Sequence, residues 1–311
     1  MNSKILVTGG AGYLGSILVP HLLSLGHEVK VIDRFLFEGA FLDCCYDEKL
    51  VVIKGDARDQ NLIREHSKDA DFILPLAALV GAPICDRDKI GATSINRDAI
   101  KTLVKETSLS QKIIIPITNS GYGIGESGRF CTEKSPLKPI SLYGKTKVEA
   151  EEIALSRGNA ISLRLATVFG VAPRMRLDLL VNDFVQRAVQ DQYLVIFEGH
   201  FKRNYIHVRD VARAFSHAIQ NFDSMKDEPY NVGLSEANLS KIELCEKIKN
   251  QIPGFVYIES EIGQDPDKRD YIVSNEKIES TDYKPAFTLD MGIKELKKLF
   301  EFLSIKKFSN I

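Results

Sequence analysis

Short, unbroken runs of Val, Ile and Leu punctuate the first half of the chain: KILVTG, EVKVID, LVVIKGD, ADFILPLA, KIIIPIT and AISLRLATVFG. Between them apolar positions recur at helical spacing, as from Leu14 to Leu25 and from Lys145 to Ser156. A strand that is apolar at every position is covered on both faces, and helices between such strands predict a parallel sheet. The pattern predicts an α/β class, a doubly wound parallel sheet.

After Gly170 the alternation loosens. PRMRLDLLVNDFVQRAVQ reads as a loop then a helix, YLVIFEG as a strand, and YIHVRDVARAFSHAIQ as a strand then a helix. SKIELCEKIKN and LDMGIKELKKLFEFL add amphipathic helices, and the tail KELKKLFEFLSIKK predicts a helix with a solvated basic face. This predicts two domains. Residues 1–170 form the first, to which the chain returns at about 206–233. Residues 171–205 and 234–311 form a smaller α/β domain.

Composition narrows the chemistry. With 311 residues, 44% of them hydrophobic, the chain can fill a large domain and a smaller one. A formal net charge of -1 gives no electrostatic reason to expect nucleic acid or an acidic membrane as partner. MNSKILVTGG moves straight into a strand and predicts no signal peptide, and the apolar runs are too short for a membrane span. Five cysteines without CxxC spacing predict a reducing, cytoplasmic setting. The histidines lack HxxxH or HxxEH spacing, so no metal is expected. There is no GxSxG, which argues against a hydrolase.

The first strand runs into Gly9, Gly12 and Gly15, followed by a helical pattern. Glycine permits a tight turn and lets a pyrophosphate come close to the backbone at a helix start. With Tyr13 and Leu14, these glycines form the predicted dinucleotide loop of a Rossmann fold. Asp33 ends the second strand, where its carboxylate would accept both adenosine ribose hydroxyls and repel a 2′-phosphate. The predicted cofactor is therefore NAD, although Arg34 next door would suit NADP. Asp56 and Ala57 are expected near the adenine, and Leu76, Ala77 and Ala78 leave room for the cofactor.

Tyr143 and Lys147 stand one helical turn apart. A phenol is a poor base at neutral pH, and a neighbouring ammonium is expected to favour the phenolate. A hydroxyl at the end of KIIIPIT, followed by TNSGYG, would hold a substrate alcohol against that phenolate.

TGGAGYLG, PLAALVG, TNSGYG, YGKTK, RLATVFG and RNYIHVRD together resemble the extended short-chain dehydrogenase/reductase family, in its nucleotide-sugar branch. PLAALVGAP, TNSGYGIGE, ATVFGVAPRMRLDLLVNDF and DPDKRDYIVSN resemble more closely the GDP-D-glycero-α-D-manno-heptose 4-dehydrogenases of bacterial capsule synthesis. The resemblance implies Tyr143 as general base and Lys147 as its partner, also bound to the nicotinamide ribose. It selects Thr118 as the hydroxyl, with Ser120 the competing choice. It implies a substrate site of Asn119, Ser120, Thr167, Arg174, Arg176, Asn182, Arg203 and Arg269, whose guanidinium groups suit a diphosphate. A homodimer is implied too, through the helix after Tyr143 and the one around Asn96 to Ser108.

Dehydratases of this family commonly carry Thr-Asp-Glu at the strand end, because water elimination needs carboxyl acid/base groups. Here Asn119 and Ser120 occupy those positions, and a 4,6-dehydratase is not expected. Cys131 stands alone as a candidate for C3 or C5 epimerisation. Oxidation at C4 and 4-epimerisation survive, and the resemblance favours oxidation. A net dehydrogenase must also discharge its hydride, by exchange of NADH or to a second carbonyl compound, such as a keto acid, in the same site.

Overall fold

The computed structural model describes residues 2–37, 44–262 and 269–303. The SIKK end of the tail and the DPDK part of DPDKRDYIVSN lie outside these described residues. Seven parallel strands form the central sheet: β1 (Lys4–Thr8), β2 (Glu28–Asp33), β3 (Leu50–Lys54), β4 (Phe72–Pro75), β5 (Lys112–Thr118), β6 (Ala160–Leu165) and β7 (Glu228–Val232). Their order is β7-β6-β5-β4-β1-β2-β3. The order reverses between β1 and β4, which opens a crevice beyond the carboxyl ends of the strands.

Alternate residues of each strand feed opposite faces, so an unbroken apolar run fills two cores. Ile5, Val7, Val31, Ile114 and Leu163 pack on the face covered by α1 (Gly15–Ser24) and α5 (Val208–Gln220). Leu6, Ile32, Ile73, Ile113, Ile115 and Ile117 pack on the other face, under α2 (Gln60–Ser67), α3 (Ala99–Glu106) and α4 (Leu142–Arg157). Ala150 and Ala154 are fully buried and let α4 lie close to the sheet.

Two features depart from the pattern read in the sequence. AISLRLATVFG is not one strand. At Ala166, whose amide donates to the Val232 carbonyl at 2.9 Å, β6 ends. Thr167–Phe169 then joins a second sheet with Lys202–His207 and Asn238–Ser240. Apolarity alone cannot register this transfer, because both halves are buried. The seventh strand, EPYNV, carries Pro229 and polar Asn231 and has no apolar run to announce it. Its edge position tolerates the proline, and Asn231 is buried with partners.

Beyond the central sheet, helix Leu180–Gln190 packs on helices Leu289–Phe302 and Lys241–Gln251, beside a parallel pair Tyr193–Ile196 and Val256–Glu259. Among the described residues no helix is long and apolar enough to cross a membrane.

Candidate active site

A cavity of about 610 Å³ lies over the carboxyl ends of β1, β2, β4, β5 and β6. The three loop glycines answer to different demands. Gly9 has φ +74°, and a Cβ there would lie 2.6 Å from the Ala77 amide. A Cβ on Gly15 would lie 2.3 Å from the Gly10 carbonyl oxygen, so helix α1 can start here only with glycine. A Cβ on Gly12 would touch only the Gly9 carbonyl, at 3.3 Å. Gly12 therefore keeps the cradle open toward the cavity instead of relieving a clash.

Asp33 Oδ2 accepts from the Ala11 amide at 2.9 Å and Oδ1 accepts from the Phe35 amide at 2.8 Å. Its carboxylate is thus fixed on the cavity wall beside the glycine turn. Arg34 pairs with Asp56 at 3.3 Å, and Arg58 reaches the same carboxylate at 2.6 Å. These cations, Arg58 foremost, hold the Asp56 carboxyl below its usual range. Ala57, Leu76, Ala77, Ala78 and Leu14 line the same wall, and the Tyr13 hydroxyl donates to the Gly170 carbonyl at 2.7 Å. An open glycine cradle, a fixed carboxylate at the β2 end and small side chains after β4 fit NAD. When bound there, NAD supplies the hydride acceptor.

Helix α4 starts at a Ser141 cap, whose hydroxyl accepts from the Gly144 amide at 3.1 Å. That cap places Tyr143 in the first turn, with Lys147 one turn on, and both line the cavity. Thr118 caps the short turn Asn119–Tyr122 after β5 and lines the cavity with Tyr143. Thr118 also donates to Ser120 Oγ at 2.9 Å, and Arg269 reaches Ser120 from the other side.

The charge states differ from the expectation for the isolated pair. Burial pushes the Tyr143 phenol up to about 12, against the downward pull of Arg176, Arg269 and the Thr118 hydroxyl. Burial lowers Lys147 to about 8, opposed by Glu151 one turn further along α4. The downward pull on Tyr143 anticipated from Lys147 comes instead from Arg176 and Arg269, and loss of water around the phenol outweighs it.

The far end of the cavity is cationic. Arg174, Arg176, Arg203, Lys241 and Arg269 line it, with Asp178 and Asp183 as the nearby carboxylates. Arg176 pairs with Asp178, Arg203 donates to the Lys202 carbonyl at 2.8 Å, and Lys241 donates to the Phe197 carbonyl at 2.6 Å. Thr167 lines the wall between the two ends. The carbonyl contacts fix Arg203 and Lys241 in place along the cavity wall.

Asn119 and Asn182 stand off this wall. Asn119 is 1% exposed, and its amide atoms have no hydrogen-bond partner among the described residues. Asn182 is fully buried, accepts from the Gly170 amide at 3.0 Å and donates to the Arg176 carbonyl at 2.9 Å. It thereby fixes the segment that carries the arginines. Lys241 escaped the sequence reading because SKIE announces only a helix start, the Ser240–Glu243 capping box. Among the described residues no cluster of three or more His, Cys, Asp or Glu could hold a metal ion.

Comparisons with known proteins agree with this architecture. The chain is 29% identical over 312 aligned positions to the low-salt glycan biosynthesis protein Agl12 of Haloferax volcanii, covering 93% of this chain and 96% of that protein. It is 28% identical to a dTDP-glucose 4,6-dehydratase of Streptomyces niveus, over 79% of this chain and 76% of the relative. The UDP-glucuronic acid 4-epimerase of Bacillus cereus, solved with UDP-glucuronic acid and NAD, superposes with a TM-score of 0.85. It shares 22% identity over 96% of this chain and 99% of that one. Residues 5–233 match the model of the NAD dependent epimerase/dehydratase family. The chain belongs to that family, and its cofactor is NAD.

Proposed function

We propose that this protein oxidises the C4 hydroxyl of a nucleotide-activated sugar, GDP-D-glycero-α-D-manno-heptose, to the 4-keto sugar, in the synthesis of a bacterial capsule or other surface polysaccharide. The observation that carries the reading is the meeting of Thr118, Tyr143 and Lys147 on one cavity wall, with Asn119 and Ser120 where a dehydratase needs carboxylic acids. Tyr143 as phenolate takes the proton of the alcohol, Thr118 holds the alcohol oxygen, and hydride leaves the carbinol carbon for NAD. The cationic end of the cavity suits the diphosphate. The choice of a GDP-heptose rests on the resemblance of PLAALVGAP, TNSGYGIGE and ATVFGVAPRMRLDLLVNDF.

In this reading residues 1–170 with 206–233 hold NAD, and residues 171–205 and 234–311 hold the nucleotide sugar. A keto acid that enters the same site can take the hydride back and regenerate NAD. A homodimer through α4 and the Asn96 to Ser108 helix, in the cytoplasm, completes the expectation.

A second reading, 4-epimerisation, uses the same site: the keto sugar turns over and is re-reduced, an activity that the family description includes in kind. Mass spectrometry and NMR of GDP-heptose after incubation, with and without a keto acid, separate the outcomes. A product two hydrogens lighter, formed mainly with the acceptor, supports the dehydrogenase. Unchanged mass with an inverted C4 proton pattern establishes the epimerase, and loss of water establishes a dehydratase.

A further inference from the structure

The segment that begins at Gly170 is fastened to the glycine turn at two points. The Tyr13 hydroxyl donates to the Gly170 carbonyl, and the Arg174 amide donates to Ser16 Oγ, in the first turn of α1, at 3.4 Å. Ser16 Oγ in turn donates to the Tyr13 carbonyl at 3.0 Å. Arg174 is 2% exposed and lines the cavity, with Nη1 donating to the Met175 carbonyl at 2.5 Å. Its guanidinium lies over the Phe37 ring, 4.4 Å from the centroid. Phe37 lines the cavity with Asp33, and Phe35 between them takes φ +53°, which turns the chain after β2. The other cations of that end are tied elsewhere. Arg176 is held by Asp178 and the Val80 carbonyl, Arg203 and Lys241 by the carbonyls of Lys202 and Phe197, and Arg269 reaches Ser120.

The glycine turn itself, TGGAGYLGS from Thr8 to Ser16, holds no lysine or arginine. The amino end of a helix offers roughly half a positive charge, too little to balance a doubly charged pyrophosphate. We propose that Arg174 supplies the missing cation: carried beside the first turn of α1 and laid on the Phe37 ring, its guanidinium binds the pyrophosphate of NAD and not the diphosphate of the nucleotide sugar. Stacking on Phe37 uses the face of the guanidinium, whereas phosphate oxygens are met at its edge. Burial and the neighbouring Arg176 both work against the charge on Arg174, and an anion at that edge opposes both. The role stands on NAD as the cofactor and does not depend on which sugar is oxidised.

The test reads binding and needs no turnover. Calorimetry on the full chain compares wild type and Arg174→Met with NAD, ADP-ribose, adenosine and GDP. In the variant, affinity for NAD and for ADP-ribose is expected to fall about tenfold, as for loss of a charged hydrogen bond. Adenosine and GDP, which do not carry that pyrophosphate, are expected to keep their wild-type affinities. If Arg174→Met does not fold, Arg174→Gln, which can still donate to the Met175 carbonyl, carries the same expectations. Unchanged NAD affinity overturns the proposal, as does a loss on GDP equal to or above the loss on NAD. An equal loss on adenosine and on ADP-ribose also overturns it, because the residue then supports the wall of the site and not a phosphate. Failure of the wild type to bind GDP removes the proposed substrate, and the comparison of ADP-ribose with adenosine still decides the role of Arg174.

Discussion

The Tyr13 hydroxyl, in the glycine turn after the first strand, donates to the Gly170 carbonyl at 2.7 Å across 157 residues of sequence. It joins the cofactor loop to the segment where the chain has just entered the second sheet. Gly170 has φ +112°, and a Cβ there would lie 2.4 Å from His207 Nε2, so no other residue could offer its carbonyl in this way. Tyr13→Phe leaves that carbonyl without its donor and is expected to cost about 1 to 2 kcal/mol in urea denaturation. Wild-type stability in the variant would show that the contact is incidental.

Tyr143→Phe should abolish turnover and leave NAD affinity, measured by calorimetry, within a few-fold of wild type. Thr118→Ala should lower kcat by about a hundredfold, since Ser120 is already engaged by Arg269. If Thr118→Ala were silent and Ser120→Ala damaging, the hydroxyl assignment would pass to Ser120.

Lys147 makes stability depend on pH in a definite direction. Its ammonium titrates near 8 in the folded protein and near 10.5 in the unfolded chain. Between these values the unfolded state binds more protons, so the contribution of Lys147 to stability rises with pH. Lys147→Met lacks it. The stability advantage of that variant should shrink by on the order of 3 kcal/mol from pH 7 to pH 10. Parallel pH profiles for the two proteins would mean that Lys147 titrates as an ordinary exposed lysine.

Arg203→Ala and Lys241→Ala should each weaken binding of GDP by about tenfold or more, with kcat little changed, because a charged hydrogen bond to phosphate is worth about 1.5 kcal/mol or more. Calorimetry with GDP and with guanosine separates phosphate from base recognition. Equal losses for both ligands would move these cations away from the diphosphate.

Asp33→Ser should lower NAD affinity by about tenfold and admit NADP, since the carboxylate that repels a 2′-phosphate is gone. Continued rejection of NADP would place the selectivity elsewhere on the wall.

Much of this was legible in the chain. Five apolar runs announced five sheet strands in full. For β1, β4 and β5 the cause is burial on both faces; β2 and the edge strand β3 read through their β-branched residues, although Val51 and Val52 are exposed. EPYNV gave no such signal, since Asn231 is satisfied by Tyr122 and Ser274, partners far away in sequence. In the site, the glycines, Asp33 and the Tyr143–Lys147 spacing follow local rules and could be read. Whether Asn182 faces a ligand or clasps the Gly170 amide depends on a helix packing angle that no local pattern encodes. The same holds for Lys241, which reaches the cavity because the second sheet turns its helix start inward.

The transfer of AISLRLATVFG from one sheet to the other has a consequence for selectivity. Leu165, Ala166, Thr167 and Val168 all line the cavity, and their extended backbone spans roughly 13 Å. That length belongs to a single stretch of chain pinned in two hydrogen-bonded ladders, with one residue between them. It sets one fixed interval along the wall of the cleft. On the proposed reading, a sugar would have to match that interval, however well its ends were held.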